Sequence, residues 1–209
     1  MAEMILSDDL SVEAARRGDR AAFNRLVERY QRQAYNVAYR TLGHPEEAAD
    51  ATQDAFLAAF QAIRSFRGGS FRAWLLRIVV NACYDQLRRR RRQPLDSLEG
   101  LGANAEVEVG PPDPGPGPEQ AALGHETAEE IQRALERLPV DQRLVVVLCD
   151  VQGLSYEETA DALELALGTV KSRLSRARAR LRDDLIARGE LPGQTQRPNT
   201  MGPQGQAAT

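Results

Sequence analysis

The stretch FRAWLLRIVVNACYDQLRRRRR, from Phe71 to Arg92, decides how the rest of the chain is read. Wound at about 100° per residue, it places Phe71, Leu75, Ile78 and Ala82 on one apolar face. Arg77, Asn81, Tyr84 and Arg88 gather on another, with Trp74 near its margin. Such a polar face suits nucleic acid: guanidinium groups neutralise phosphates, Asn reads base edges, and aromatic rings stack on a base that leaves the duplex. The plainer reading of the same pattern is a solvated face beside a packed Trp74. The run Arg88 to Arg92, taken alone, is a generic basic patch.

Working upstream, Gly68 and Gly69 break the chain before this helix. A helix over 21–42 carries the apolar stripe Phe23, Leu26, Val27, Tyr30, Ala34, Val37 and Ala38, and Gly43 ends it. Pro45 suits the first turn of a second helix, Glu46 and Glu47 suit its positive end, and Ala55, Phe56, Ala59, Phe60 and Ile63 continue its apolar run. From Gly43 to Ile63 there is no Lys or Arg. Asp50 and Asp54 share a face with Gln53 beside them, and a face of that charge repels DNA, so it binds protein or water.

Working downstream, apolar periodicity lapses from Gln93 to His125, and the segment GPPDPGPGP, Gly110 to Pro118, sustains neither helix nor ladder. A linker is expected there, extended or disordered. Helices are expected again near 128–138, 140–151 and 156–163, punctuated by Pro139 and Gly153, with a last one over 169–185. Ser155 and Glu158 have capping-box spacing. Two short helices, a turn and a basic last helix form a helix-turn-helix pattern. In that last helix Val170, Leu174, Ala177 and Leu181 make the core seam. Lys171, Ser172, Ser175, Arg176, Ala179 and Arg182 point away from it, with Arg173 and Arg178 at the flanks. Small, hydroxylated and basic, this outer face fits a major groove; scattered charge on an exposed helix is the alternative. Residues 189–209, rich in Gly, Pro, Gln and Thr, read as a disordered tail. Val/Ile/Thr alternation is scarce, so the fold class is all-α: two small helical domains joined by a flexible acidic linker.

Charge sharpens this division. The net charge of the 209 residues is −3, yet residues 64–92 carry +8, residues 93–130 carry −9 and residues 168–182 carry +6. Two basic blocks flank an acidic connector. Hydrophobic residues make up 42% and charged residues 27%, ordinary for a globular protein that folds over most of its length. Apolar runs such as Leu144 to Leu148 fall far short of the roughly 20 residues a membrane span needs. Glu3, Asp8 and Asp9 near the start do not read as a secretory signal, so a cytoplasmic location without membrane insertion is expected. Cys83 and Cys149 lie in apolar-periodic segments without metal-ligand spacing and read as buried, reduced packing residues. His44 and His125 sit at loop positions, and no cluster of His, Cys or carboxylates suggests catalysis. No catalytic residue, metal site or cofactor is therefore expected, and a nuclease is the weakest reading.

At this point the motifs match a family. FRAWLLRIVVNACYDQLRR from Phe71, DATQDAFLAAF from Asp50, and LSYEETA followed by GTVKSRLSRAR closely resemble extracytoplasmic-function sigma factors of the sigma-70 superfamily. The resemblance implies a region 2 domain over 11–92, a linker over 93–125, a region 4 domain over 126–188 and a tail over 189–209. Asp50, Gln53, Asp54 and Phe56 match the segment that docks on core RNA polymerase. The loop 66–70 together with Arg72, Trp74, Arg77, Asn81, Tyr84, Arg88 and Arg89 match the part that recognises and melts the minus-10 element of promoter DNA, where a base is flipped into a pocket. Lys171, Ser172, Arg173, Ser175, Arg176 and Arg178 match the helix that reads the minus-35 element. An anti-sigma factor is implied as a further partner. The acidic linker would thread the polymerase as a polyanion mimic, or be acidic merely for solubility. Where the family has a Gly and a Pro in the turn before the last helix, this chain has Glu164 and Ala166. A free-standing helix-turn-helix repressor would explain the second domain but neither the acidic face nor the Arg, Trp and Tyr helix.

Overall fold

Helix ends fall where local chemistry places them. In the computed structural model, which describes residues 2–92 and 128–188, every regular element is a helix. The linker expected over 93–125 and the tail expected over 189–209 lie outside the described residues. The first half holds α1 (Ala2–Arg16), α2 (Arg20–Leu42), α3 (Pro45–Ala62), a single 3₁₀ turn (Ile63–Ser65) and α4 (Phe71–Arg92). The second holds α5 (128–136), α6 (Val140–Val146), a π turn (Val147–Val151), α7 (Tyr156–Leu163) and α8 (Leu167–Ala187).

Asp19 starts α2 by accepting the Ala21 and Ala22 amides at 2.8 and 3.1 Å, filling two of the donors a helix start leaves open. Gly43 stops it in the left-handed region, φ 80°, with its N–H on Tyr39 O at 2.8 Å. The Ser155–Glu158 capping box forms as the spacing predicts, at 3.0 and 2.9 Å. Helix α1 begins well before residue 11, where the resemblance starts. Its acidic first half has little apolar periodicity; its anchors are Val12 and Ala15 in the core and Asp8, which takes hydrogen bonds from Arg29 and the Tyr30 hydroxyl. Burial, with that bond, raises the Tyr30 pKa above its ordinary value.

One apolar cluster joins Val12, Phe23, Leu26, Phe66, Phe71 and Leu75 inside the first half. A second runs across both halves, from Val37, Leu76 and Val79 to Val145, Leu148 and Leu174. The two predicted domains therefore pack against each other through a shared core. This explains a difference along α4. Leu76, Val79, Val80 and Cys83 are fully buried beside Phe71 and Leu75, whereas Ile78 and Ala82 are only half-buried. Period alone finds one seam; α2 and α3 pack against α4 within the first half and α7 packs on it from the far side of the linker, so more than one side of the helix is buried.

The same packing silences the thiols. Burial pushes Cys83 up to about 12 and raises Cys149, against the effect of a hydrogen bond at 3.2 Å to Thr159 Oγ1. Since the thiolate is the nucleophile, neither cysteine should react with an alkylating thiol reagent at about pH 8 until denaturant is added. Rapid labelling of Cys83 in the native protein would contradict this core.

Candidate nucleic-acid interface

The N-terminus of α4 is built from aromatic rings. Ser70 caps it, its Oγ accepting the Ala73 amide at 3.2 Å. Just before it, Gly68 and Gly69 adopt φ 97° and 91°, which side chains rarely take, so the chain turns there with open space beside both glycines. Trp74 is half-buried between Phe66 and Phe71, with ring centroids 5.2 and 5.5 Å away. Its ring is thus held in a fixed attitude beside an open loop, an arrangement suited to stacking a splayed base.

The other predicted minus-10 residues do not form one surface. Asn81 and Arg88 are exposed on the outer side of α4, where Arg88 pairs with Asp85 at 3.0 Å. Arg89 is exposed and lies 3.8 Å from Asp54, joining the basic end of α4 to the acidic face of α3. Arg72 sits about 140° round the helix from Arg77, and its guanidinium donates to the carbonyl of Gln152. Arg77 is bound by the Glu164 carboxylate from the turn before α8. Tyr84 is half-buried against the shared core; burial raises its hydroxyl pKa, with the charges of Arg173 and Asp141 close by.

On α3, Asp50, Gln53 and Asp54 are exposed together. Phe56 differs from them: it is half-buried and packs against both apolar clusters. The exposed apolar positions beside the acids are Leu57, 55% exposed, and Phe60, 43% exposed. Leu57 falls seven residues after Asp50, two helical turns along the same face. The sequence reading missed Leu57, although its place in the apolar run beside the acids was a usable signal.

The last helix matches its predicted faces. Val170, Leu174 and Ala177 are buried and Leu181 is half-buried. Lys171, Ser175 and Arg176 are exposed, without an ion pair among the described residues. Tyr156 of α7 joins Lys171, Ser175, Arg178 and Arg182 along one open groove. Ser172 bonds back to Thr169 O at 3.0 Å. Arg173 lies 3.4 Å from Asp141. Arg178 donates to both Asp150 oxygens, at 3.0 and 2.5 Å, and that bond raises its pKa further. Both flanking arginines thus tie α8 to α6 and the π turn, while the central three side chains remain free for a groove.

The turn before α8 shows how this chain manages without the Gly and Pro of the resembling family. Glu164 itself adopts the left-handed conformation, φ 54° and ψ 44°, and Ala166 supplies the extended residue at φ −66° and ψ 142°. A non-glycine residue there costs about 1–2 kcal/mol. No group of His, Cys, Asp and Glu among the described residues could hold a metal, and no described helix is long and apolar enough to cross a membrane.

Comparison with known proteins agrees with this geometry. Residues 26–93 match the family Sigma-70 region 2, and residues 128–181 match Sigma-70, region 4. The ECF RNA polymerase sigma factor SigM of Mycobacterium tuberculosis is 47% identical over 165 residues, covering 78% of this chain and 77% of the relative. Among solved structures, CnrH in complex with the cytosolic domain of CnrY has a TM-score of 0.64 at 32% identity, covering 87% of this chain and 98% of that one. The sigma factor RpoE in complex with the anti-sigma factor NepR from Bartonella quintana has a TM-score of 0.59 at 31% identity, covering 78% and 96%.

Proposed function

Because the chain belongs to the extracytoplasmic-function sigma factors, we propose that it binds core RNA polymerase and directs it to promoters in the cytoplasm under the control of an anti-sigma factor. The observation that carries this reading is the combination, in one chain, of an acidic face on α3, an aromatic platform at the start of α4 and an uninterrupted basic face on α8. A free-standing repressor needs only the last of these.

In this reading region 2 spans 11–92, the acidic linker 93–125, region 4 126–188 and the tail 189–209. Asp50, Gln53 and Asp54 dock on the polymerase with Leu57 supplying apolar contact, and Phe56 holds α3 in place from within. Trp74 stacks a base, Arg77, Arg88 and Arg89 neutralise phosphates, and Asn81 reads a base edge. Lys171, Ser175 and Arg176 enter the upstream major groove, while Arg173 and Arg178 set the angle of α8. The chain's part in initiation is recognition and strand separation, with the bond-forming chemistry left to the polymerase.

Permanganate footprinting tests strand separation directly. Thymines of the minus-10 element should become reactive only when the chain and core polymerase are both present; reactivity with neither or with core alone would refute the assignment. Arg176→Ala should weaken binding to the upstream element by about 1–3 kcal/mol if that guanidinium contacts a base. Unchanged affinity in a shift assay would remove it from the interface.

A further inference from the structure

The basic face of α8 carries more charge in the sequence than in the fold. Between Gly168 and Arg182 the side chains of Lys171, Arg173, Arg176, Arg178, Arg180 and Arg182 are basic, and none is acidic. Acids from other elements reach two of them. Asp141 of α6 lies 3.4 Å from Arg173, and Asp150 of the π turn accepts two hydrogen bonds from Arg178, at 3.0 and 2.5 Å. Lys171, Arg176 and Arg180 have no ion pair among the described residues.

Arg178 stands where a cation matters most. It follows Lys171 by seven residues and Ser175 by three, so it lies on their stripe of the helix, and all three line one open groove with Tyr156. Its side chain is 52% exposed, enough to meet a ligand in that groove. When a recognition helix enters a major groove, the phosphates run along such an edge. The π turn sets the acid opposite it. There the Gln152 amide bonds to Val147 O, five residues back, at 2.9 Å; Cys149 faces the core and Asp150 faces α8. The Asp150 carboxylate engages Nε and one Nη of Arg178, so it offsets the charge at the groove edge and fixes the plane of the guanidinium.

We propose that Asp150 is a positioning residue that sets sequence specificity at the upstream element: by holding and discharging Arg178, it withholds one phosphate contact and leaves discrimination to Lys171, Ser175 and Arg176. The inference rests on the sigma-factor reading above. Phosphate contacts release counterions and strengthen binding to any sequence, whereas base contacts separate one sequence from another. On an unrelated duplex α8 is free to settle wherever an unpaired Arg178 meets a phosphate. On its own element the base contacts already fix the register, so an unpaired Arg178 gains less there. Asp150 thus suppresses binding to the wrong duplex more than to the right one.

The test is a salt titration of the full chain on two duplexes. The wild-type chain with core polymerase first selects a promoter from a random library; its minus-35 duplex and a shuffled duplex of the same composition are the probes. For Asp150→Asn, affinity for the shuffled duplex should rise about fivefold at roughly 0.1 M salt, and log affinity should fall against log salt with a slope steeper by about one. Discrimination between the two duplexes should drop about threefold. Asp150→Glu, which can re-form the fork, should keep the wild-type slope and discrimination. Adding Arg178→Gln to Asp150→Asn should return the slope to its wild-type value. An unchanged slope and discrimination in Asp150→Asn overturns the inference, and so does an equal loss of affinity for both duplexes, the result of a merely structural ion pair. If the wild-type chain selects no promoter at all, the sigma-factor reading itself has failed and the inference falls with it.

Discussion

Replacing Arg143 with alanine should destabilise the protein by about 3 kcal/mol or more, the largest effect expected of any single polar substitution here. The residue is 8% exposed, and its guanidinium donates to Thr41 O, Glu136 O and Leu138 O, at 2.5, 2.7 and 3.2 Å. These are carbonyls at the ends of α2 and α5, which have no helical partner. Deleting the side chain orphans all three at about 1–3 kcal/mol each, less what water recovers, and leaves a cavity. Burial already pulls the Arg143 pKa down, opposed by Glu136, and its Nε has no hydrogen-bond partner, so the three carbonyls carry the compensation for burying this group. Arg143→Lys should recover only part of the loss, because an ammonium cannot span the fork. Urea unfolding monitored by circular dichroism reads the difference; a change under about 1 kcal/mol would mean that the halves do not pack as described.

Asp54→Arg should weaken association with core polymerase by about 2 kcal/mol or more, roughly thirtyfold, while barely changing stability. Asp54 is exposed and its pairing with Arg89 is long and solvated, so folding loses little. Docking loses an attractive charge and gains a repulsive one at the centre of the acidic face. Co-purification at unaltered yield would contradict the docking assignment.

How far the sequence reveals this protein depends on which force shapes each part. Helix limits at Asp19, Gly43, Ser155 and Pro139 are set by local capping and backbone chemistry, so α2, α7 and the start of α6 could be placed from residues alone. The core seam of α8 was legible for the same reason: Val170, Leu174 and Ala177 face one partner surface. On α4 the reading found one seam and missed Leu76, Val79, Val80 and Cys83, since a helix buried on two sides has no single period. Phe56 was grouped with the acids by family pattern, yet packing turns it inward and leaves Leu57 outside. Arg72 and Arg77 belong to one motif but meet different partners, Gln152 and Glu164, from across the linker. No rule of periodicity anticipates a contact between residues about eighty positions apart.

The direct test of the central claim is run-off transcription from a promoter library by core polymerase, with and without the purified chain. Discrete transcripts that require the chain, and that share two spaced sequence elements upstream of their starts, are the predicted result. Transcription that is the same in both reactions, or a chain that never joins the polymerase, would contradict the account.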